Sequence, residues 1–287
     1  MASDRKITRA IIPAAGKGTR LMPLTRSVPK EMLPLGRKPV LEHIVDETVA
    51  SGIEEVLLVI SEEKLSILHY FQKYPGIKVS GVIQPEQKGL GDAIRWGEEF
   101  ARGEPFAVIL GDSVISTSEE VSPLRRVLDT FEGEHKDGVI LVQDTPIEEA
   151  YRYGMVKPKM GAPASGTTCC AQVRTAEPFE ISDLVEKPKP EETPSRYAIA
   201  GRYAFHSKLF DYLRHTSPGA GQEIQLTDAV KSMLADGNTV WCVPLKAGEA
   251  RRDIGTFPSY FEAFALACIE DQECGETMRR MWEEFGK

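Results

Sequence analysis

The feature that most constrains this chain is a strand pattern followed repeatedly by a helix pattern. Short apolar runs rich in β-branched residues occur at 7–13, 56–60, 77–83, 106–110 and 138–142. Each is short enough for a strand and continuous enough to be a buried one. Between the first two, Val40, Leu41, Ile44, Val45, Thr48 and Val49 recur at helical spacing, and a second stripe runs through Ala93, Ile94, Gly97 and Ala101. Pro39 opens the first helix where a missing N–H costs little, and Gly52 follows it where a left-handed residue is favoured. Strand then helix, in repetition, requires crossover connections and hence parallel pairing. The expected fold class is α/β, with a Rossmann-like mixed, mostly parallel sheet flanked by helices.

Beyond about Tyr153 the pattern loosens into strands near 167–174, 181–186 and 196–205, separated by loops rich in proline and glycine. This half reads as an elaborated or partly antiparallel extension of the sheet. Helical stripes return at 223–234, 257–269 and 277–285, where Met278, Met281, Trp282 and Phe285 recur at helical spacing, as packing within or between subunits. No internal repeat or long linker divides the chain. Residues 1–256 are expected to form one catalytic domain and 257–287 a C-terminal helical appendage of it. A core of this size needs no disulfide or structural metal. The five cysteines are odd in number and contain no C-x-x-C pair, so reduced thiols are expected, with adjacent Cys169 and Cys170 read as packing.

Charge narrows the partners. Acidic residues outnumber basic ones, 43 to 35, for a formal net charge of −8. That is the reverse of the basic face that tracks a nucleic-acid backbone, so no nucleic-acid partner is expected. The segment from Met1 to Lys6 lacks the apolar core of a secretory signal, and no stretch approaches the ~20 apolar residues of a membrane span. The expectation is a cytoplasmic chain with no membrane partner.

Chemistry enters where the first strand ends. It runs into Pro13-Ala14-Ala15-Gly16-Lys17-Gly18-Thr19-Arg20, a loop of small residues whose backbone N–H groups can approach a polyanion closely. The small side chains of Ala14 and Ala15 let a flat base or ribose lie against the main chain. Two other phosphate loops fail a direct check: G-x-G-x-x-G needs glycine where Leu21 stands, and no G-x-x-x-x-G-K-[ST] occurs. A nicotinamide-dependent oxidoreductase and a Walker-type ATPase are therefore disfavoured. A cationic, proline-rich stretch follows, with Arg20, Pro23, Thr25, Pro29-Lys30, Met32-Leu33-Pro34 and Lys38-Pro39. Fixed cations after a glycine turn suit a triphosphate tail, because arginine offers a two-pronged fork and lysine a point charge. Solvated surface charge is an adequate reading for Arg26, Arg37 and Lys38, and a weaker one for Arg20 and Lys30.

In this order, Gly16-x-Gly18-Thr19-Arg20, Pro23-x-Thr25, Pro29-Lys30 and Met32-Leu33-Pro34 resemble the signature of the sugar-1-phosphate nucleotidylyltransferases. The resemblance continues along nearly the whole chain. Gln84-Pro85-Glu86-Gln87-Lys88-Gly89-Leu90-Gly91 is similar to the family's base-reading loop, Leu110-Gly111-Asp112 to its metal-site turn, and Tyr153-Gly154 to a sugar-pocket strand. Leu184-Val185-Glu186-Lys187-Pro188, Ala200-Gly201-Arg202-Tyr203, Glu223-Ile224-Gln225-Leu226-Thr227-Asp228-Ala229 and Asp253-Ile254-Gly255 follow in the family's order. The Gly-Arg-Tyr and Glu-Ile-Gln-Leu-Thr-Asp elements resemble the bacterial branch that uses UTP more than the branch that uses dTTP.

The resemblance implies a nucleotide-diphospho-sugar transferase fold and an Mg²⁺-dependent transferase whose partners are UTP and glucose 1-phosphate. Ala14, Ala15, Gly16, Gly18 and Thr19 would hold the nucleotide, Gln84, Gln87 and Gly89 its base, and Gly154, Glu186 and Gly201 the sugar. Gln84 presents a donor and an acceptor together, the combination that reads an imide edge. Arg20 and Lys30 would hold the leaving pyrophosphate and Lys187 the attacking sugar phosphate; these three are the catalytic candidates. Asp112, which also belongs to the substrate site, and Asp253 would hold Mg²⁺, an ion usually kept by one or two carboxylates plus phosphates and water. Without the resemblance, Asp112 could cap a turn, Asp253 could pair with Arg251 or Arg252, and Glu186-Lys187-Pro188 could be a solvated strand end. The apolar stripe of the last helix suits a homo-oligomer, dimer or tetramer.

Two positions depart from the family's pattern. Leu110-Gly111-Asp112-Ser113 reads more like the dTTP-using branch, so a glucose-1-phosphate thymidylyltransferase stays as the alternative. Asp92 stands where a neutral or imidazole side chain is usual, placing negative charge near a nucleotide unless it faces away or caps the helix beginning there. From another class, the alternative is a regulatory protein that binds a sugar nucleotide without turning it over. Retention of Arg20, Lys30, Asp112, Lys187 and Asp253 together argues against it.

Overall fold

The computed structural model describes residues 6–133, 136–159, 176–219 and 222–285. The strand expected over 167–174, with Cys169 and Cys170, lies outside them, as does the side chain of Phe285. The first half runs β1 (Arg9–Pro13), β2 (Pro34–Leu35), β3 (Lys38–Pro39), α1 (Val40–Ala50), β4 (Glu55–Ile60), α2 (Leu65–Phe71), β5 (Lys78–Ile83), α3 (Leu90–Arg95), α4 (Glu98–Ala101), β6 (Phe106–Ile109), β7 (Ser113–Ser116) and α5 (Pro123–Glu132). The second half runs β8 (Gly138–Asp144), β9 (Gly154–Pro158), β10 (Phe179–Glu186), β11 (Tyr197–Phe205), α6 (Leu209–His215), α7 (Leu226–Ala235), β12 (Val240–Pro244), β13 (Ala250–Asp253), α8 (Phe257–Glu270) and α9 (Gly275–Phe285).

Among the described residues, nine strands form one sheet in the order β5-β4-β1-β6-β11-β8-β12-β10-β9. Neighbours β5, β4, β1 and β6 are parallel, as are β8 and β12, whereas β11 and β10 each run against both neighbours. All strands but those two therefore point the same way. Successive residues of a strand face opposite sides, and both sides are covered. Ala10 and Ile12 of β1 pack with Val40 and Ile44 of α1 in one layer, and Ile11 packs with Ile94 of α3 and Val108 of β6 in the other. This double cover is why the strands read as continuous apolar runs. Ile11 and Ile12 are fully buried, a stabilisation of about 1.5–3 kcal/mol each.

Helix boundaries follow local chemistry. Pro39 precedes α1, and Gly52 leaves it in left-handed backbone. The stripe through Ala93 and Ala101 is two helices, interrupted at Gly97, where a Cβ would collide with Ile11. Ser122 caps α5 by accepting from Arg125 N, with Pro123 at the first turn.

The antiparallel strands do not simply extend the sheet at its edge. β11 is inserted between β6 and β8, a choice of long-range neighbour that its local sequence does not encode. Along one edge β11 pairs with β6 at 202–205 and with β9 at Ala198, and its register shifts between Ile199 and Tyr203. The sheet opens there, between the carboxyl end of β6 and the start of β9. Separately, β7 and β13 form a two-stranded ribbon. Thr256 caps α8 immediately after that ribbon, and Tyr260 docks the helix by donating to Pro34 O at 2.9 Å.

Candidate active site

The glycine loop after β1 is held from behind. Lys30 and Glu31 are neighbours in a short helical turn, and Glu31 reaches Lys64, which follows β4. Lys64 Nζ lies 2.9 and 2.7 Å from the two Glu31 carboxylate oxygens and also donates to Ala14 O at 2.7 Å and Gly16 O at 2.6 Å. Both side chains are nearly excluded from water, at 8% and 1% exposure. Burial pushes the Glu31 carboxyl up and the Lys64 ammonium down, against their mutual attraction. The pair thus fixes two peptide planes of the loop at the expense of desolvating two charges. Sequence reading missed Lys64, because Ser61-Glu62-Glu63-Lys64 looks like solvated charge. Further along the loop, Gly18 is left-handed and its carbonyl accepts from Thr25 Oγ1 at 2.9 Å. Thr19 and Arg20 then open an exposed helical turn.

Asp112 occupies the turn after β6, and Asp253 ends β13. In the antiparallel ribbon Asp253 pairs with Ser113, and Ile254 N donates to Asp112 O at 3.4 Å, so the two carboxylate residues adjoin. Lys30 Nζ reaches Asp112 Oδ2 at 2.5 Å. Burial alone would raise the Asp112 pKa, but Lys30, then Arg251 and Arg20, outweigh it and hold the carboxyl at about 2. Burial likewise opposes the charge of Lys30, and Asp112, Glu31 and Asp253 overcome it to raise that ammonium. Asp253 Oδ1 accepts from Gly255 N at 3.1 Å, and Arg152 Nη2 stands 3.9 Å from Oδ2. The Arg20 guanidinium lies over the same turn, 3.5 Å from where a Cβ on Gly255 would sit. Arg251 and Arg252 do not take up Asp253: among the described residues Arg251 bonds Ser113 Oγ and Ile199 O, and Arg252 faces Glu270.

The ribbon bearing these carboxylates is anchored twice. Fully buried Arg202 donates to Glu47 Oε2 at 3.0 and 2.7 Å and to Ser113 O at 2.9 Å. At the far end Arg126 grips Glu249 through two bonds of 2.7 and 2.6 Å, with Thr117 Oγ1 as a third donor. The donor set fits Mg²⁺. Asp112 is kept ionised, and Asp253 adjoins it in the ribbon. An ion that takes its remaining positions from phosphates and water suits such a pair.

Where the sheet opens lies a cleft of about 170 Å³ lined by Tyr153, Gly154, Glu186, Lys187, Thr227 and Arg251, among others. Glu186 pairs with Gly154 across β10 and β9, and its Oε2 accepts from Thr227 Oγ1 at 3.1 Å. A Cβ on Gly154 would stand 2.9 Å from Ile199 Cδ1 and 3.2 Å from Glu186 Oε2, so any side chain there would crowd the cleft. Lys187 leaves the strand at φ 46°, in left-handed backbone that costs a side-chain-bearing residue energy. Its side chain is 55% exposed, with Glu186 Oε1 at 3.3 Å. Arg251 stacks over the Tyr153 ring at 4.8 Å. Sequence reading did not single out Arg251 as a site residue, although its position two residues before Asp253 on a strand places both on one face.

Packing places two candidate glycines and Asp92. Gly89 has φ 103°, and the space a Cβ would take there is filled by the chain's own Glu223 and Ile224, with Ile224 O at 2.7 Å. Gly201 sits in the bulged part of β11 in left-handed backbone, against Leu110. Asp92 is not an N-cap; Gly89 is, and the Asp92 carboxylate instead accepts from Gln84 Nε2 at 2.6 Å. Gln84 directly follows β5 and is 2% exposed, while Gln87 is half-buried in the loop beyond.

Comparison with known proteins covers the same frame. Residues 9–269 match the pattern of the family described as Nucleotidyl transferase. The chain is 36% identical to the UTP--glucose-1-phosphate uridylyltransferase of Staphylococcus epidermidis, over 96% of this chain and 97% of that one. Identity to the Staphylococcus haemolyticus protein of the same name is 32%, over 98% and 99%. Among solved structures, a UDP-glucose pyrophosphorylase complexed with UDP-glucose gives a TM-score of 0.81 at 30% identity, covering 91% of this chain and 98% of that one. A UTP-bound UGPase from Acinetobacter baumannii gives 0.81 at 26% identity, covering 97% and 99%. The likeness thus runs unbroken from the first strand into α8, through every loop that converges on the paired carboxylates, and the chain belongs to the nucleotidyl transferase family.

Proposed function

We propose that this chain transfers the uridylyl group of UTP to glucose 1-phosphate, giving UDP-glucose and pyrophosphate. An oxygen of the sugar phosphate attacks the α-phosphorus in line, the bond to the β-phosphate breaks, and pyrophosphate leaves with its electron pair. No general base is needed, because the attacking oxygen is already ionised at neutral pH, and catalysis rests on positioning and charge. The observation that carries this reading is the convergence of Arg20 and Lys30 on Asp112 and Asp253, beside a cleft that presents Glu186 and Lys187. The names of the relatives support the choice of UTP and glucose 1-phosphate.

In this reading Ala14, Ala15, Gly16, Gly18 and Thr19 cradle the nucleotide, and Gln84 reads the imide edge of its base. Arg20 and Lys30 hold the leaving pyrophosphate. Lys187, solvated before substrate arrives, neutralises the sugar phosphate, and Glu186 accepts hydrogen bonds from sugar hydroxyls. Arg251 adds a guanidinium to the wall between the sugar site and Asp112. Mg²⁺ held by Asp112 and Asp253 would supply further charge neutralisation at the α-phosphate.

Pyrophosphate release with glucose 1-phosphate, Mg²⁺ and, in separate reactions, UTP, dTTP, ATP, CTP and GTP tests the assignment. Release with UTP is expected. Preference for dTTP would move the nucleotide assignment, and release with none would favour a sugar-nucleotide-binding regulator. A homo-oligomer belongs to the same reading, supported by exposed Phe261, Met281 and Trp282 on the last two helices. Light scattering that returns a monomer would remove it. A cytoplasmic location belongs to the same reading; among the described residues no helix is long and apolar enough to cross a membrane.

A further inference from the structure

Asp92 is the charged group beside the base-reading glutamine to which the proposed reaction gives no task. A glutamine side chain can be turned end for end about its last torsion, exchanging donor and acceptor with almost no change in shape. An untethered Gln84 could therefore present its oxygen to one base and its nitrogen to another. Here the side chain is not untethered. Its Nε2 donates to Asp92 Oδ2 at 2.6 Å, and among the described residues the amide makes no other side-chain hydrogen bond. An ionised carboxylate accepts and cannot donate, so the reversed amide would set oxygen against oxygen. Gln84 is 2% exposed, which leaves water little room to replace the lost bond.

Both ends of the bond are fixed. Gln84 N donates to Ile60 O at 2.7 Å, continuing the ladder of β5 on β4, and the helix bearing Asp92 is tied down by Gly91 N donating to Ile224 O at 2.8 Å. Arg95 Nη1 lies 3.9 Å from the other carboxylate oxygen, Asp92 Oδ1.

We propose that Asp92 is a specificity-determining, positioning residue: by locking the Gln84 amide nitrogen toward itself, it aims the amide oxygen at the base and selects an imide N–H over a ring-nitrogen acceptor. Uracil and thymine carry that N–H and are accepted alike. Cytosine presents a lone pair at the same ring position, so two acceptors face each other without a proton. The inference rests on the placement of the base at Gln84 made under the proposed function.

The test compares kcat/KM for UTP, dTTP and CTP, each with glucose 1-phosphate and Mg²⁺, in the wild-type protein, Asp92→Asn and Asp92→Ala. Asparagine can donate or accept and alanine does neither, so both free the amide to turn. The ratio of UTP to CTP should fall about ten-fold or more in both variants, the scale of one charge-assisted hydrogen bond. The ratio of UTP to dTTP should stay unchanged. Ratios within one preparation do not depend on the fraction of folded protein, and calorimetric Kd values for the three nucleotides give the same ratios where turnover is too slow. If both variants lose activity toward UTP and CTP by the same factor, Asp92 merely braces the loop and the proposal is overturned. A wild-type protein that uses neither UTP nor dTTP would instead overturn the underlying function, and the two failures are distinguishable.

Discussion

The nucleotide side of the site, built on β1 and its loop, and the sugar side, built on β9, β10 and the turn at Lys187, hold their charges in opposite ways. Lys30 and Lys64 have side chains 15% and 8% exposed and lie within 2.7 Å of Asp112 and Glu31. The Lys187 side chain is 55% exposed and meets Glu186 only at 3.3 Å. A buried pair costs desolvation and gives fixed geometry, whereas an exposed lysine costs little and stays adaptable. The glycine loop is thus assembled before any ligand arrives. In the proposed function the sugar side keeps its cation in water until a phosphate displaces that water.

The largest effect should come from breaking the pre-assembled side. Lys64→Ala strands Glu31 and frees two loop carbonyls, and should cost about 3–5 kcal/mol in chemical denaturation. Replacing both partners together, Lys64→Met with Glu31→Leu, should recover most of that stability while KM for UTP stays raised. Normal UTP affinity in the stable double variant would show that the pair supports folding alone. On the open side, Lys187→Ala should leave the melting temperature in place and lower kcat about 10²–10³-fold at saturating substrates, the scale of losing one preorganised charge. Near-normal turnover would remove Lys187 from the chemistry.

Between the two sides, Arg251→Met keeps an apolar stem against Tyr153 but removes the guanidinium. KM for glucose 1-phosphate should rise roughly ten-fold, as for one lost charged hydrogen bond. A change in UTP binding alone would assign Arg251 to the other side. The smallest effect concerns the ribbon that both sides share. Burial would raise the Glu249 carboxyl, but bonds from Arg126, Lys246 N and Thr117 hold it below its ordinary value. A folded-state pKa below the unfolded one stabilises above the unfolded pKa of about 4.3, and the contribution is lost as pH falls through the folded value. Thermal melting followed downward from pH 5 should therefore fall less steeply in Glu249→Gln than in the wild type. Parallel curves would deny the pair its acid-sensitive role.

Legibility in the sequence followed the same division. The runs over 7–13 and 56–60, the boundaries at Pro39 and Gly52, and the glycine turn at 16–18 were readable because each depends on residues within a few positions. Arg20, Lys30, Lys187, Glu186 and both aspartates were singled out by motif, since their order along the chain resembled a family. What motif could not supply was contact. Lys64 reaches Glu31 and the carbonyls of Ala14 and Gly16, and Asp92 holds Gln84 where a helix cap was one reading of it.

By itself, then, the sequence determined the local and periodic part: which segments become buried parallel strands, where helices begin and end, and where a polyanion can meet bare backbone. Those outcomes follow from side-chain periodicity and backbone conformational preference, which act over one or two turns of chain. Only the tertiary structure decided that β11 lies between β6 and β8, that Asp253 arrives beside Asp112, that Lys64 reaches behind the loop, and that Asp92 faces Gln84. Each of these is a choice among distant partners of similar chemistry, settled by which packing buries both faces of the sheet and gives Lys64, Arg202 and Asp112 their partners.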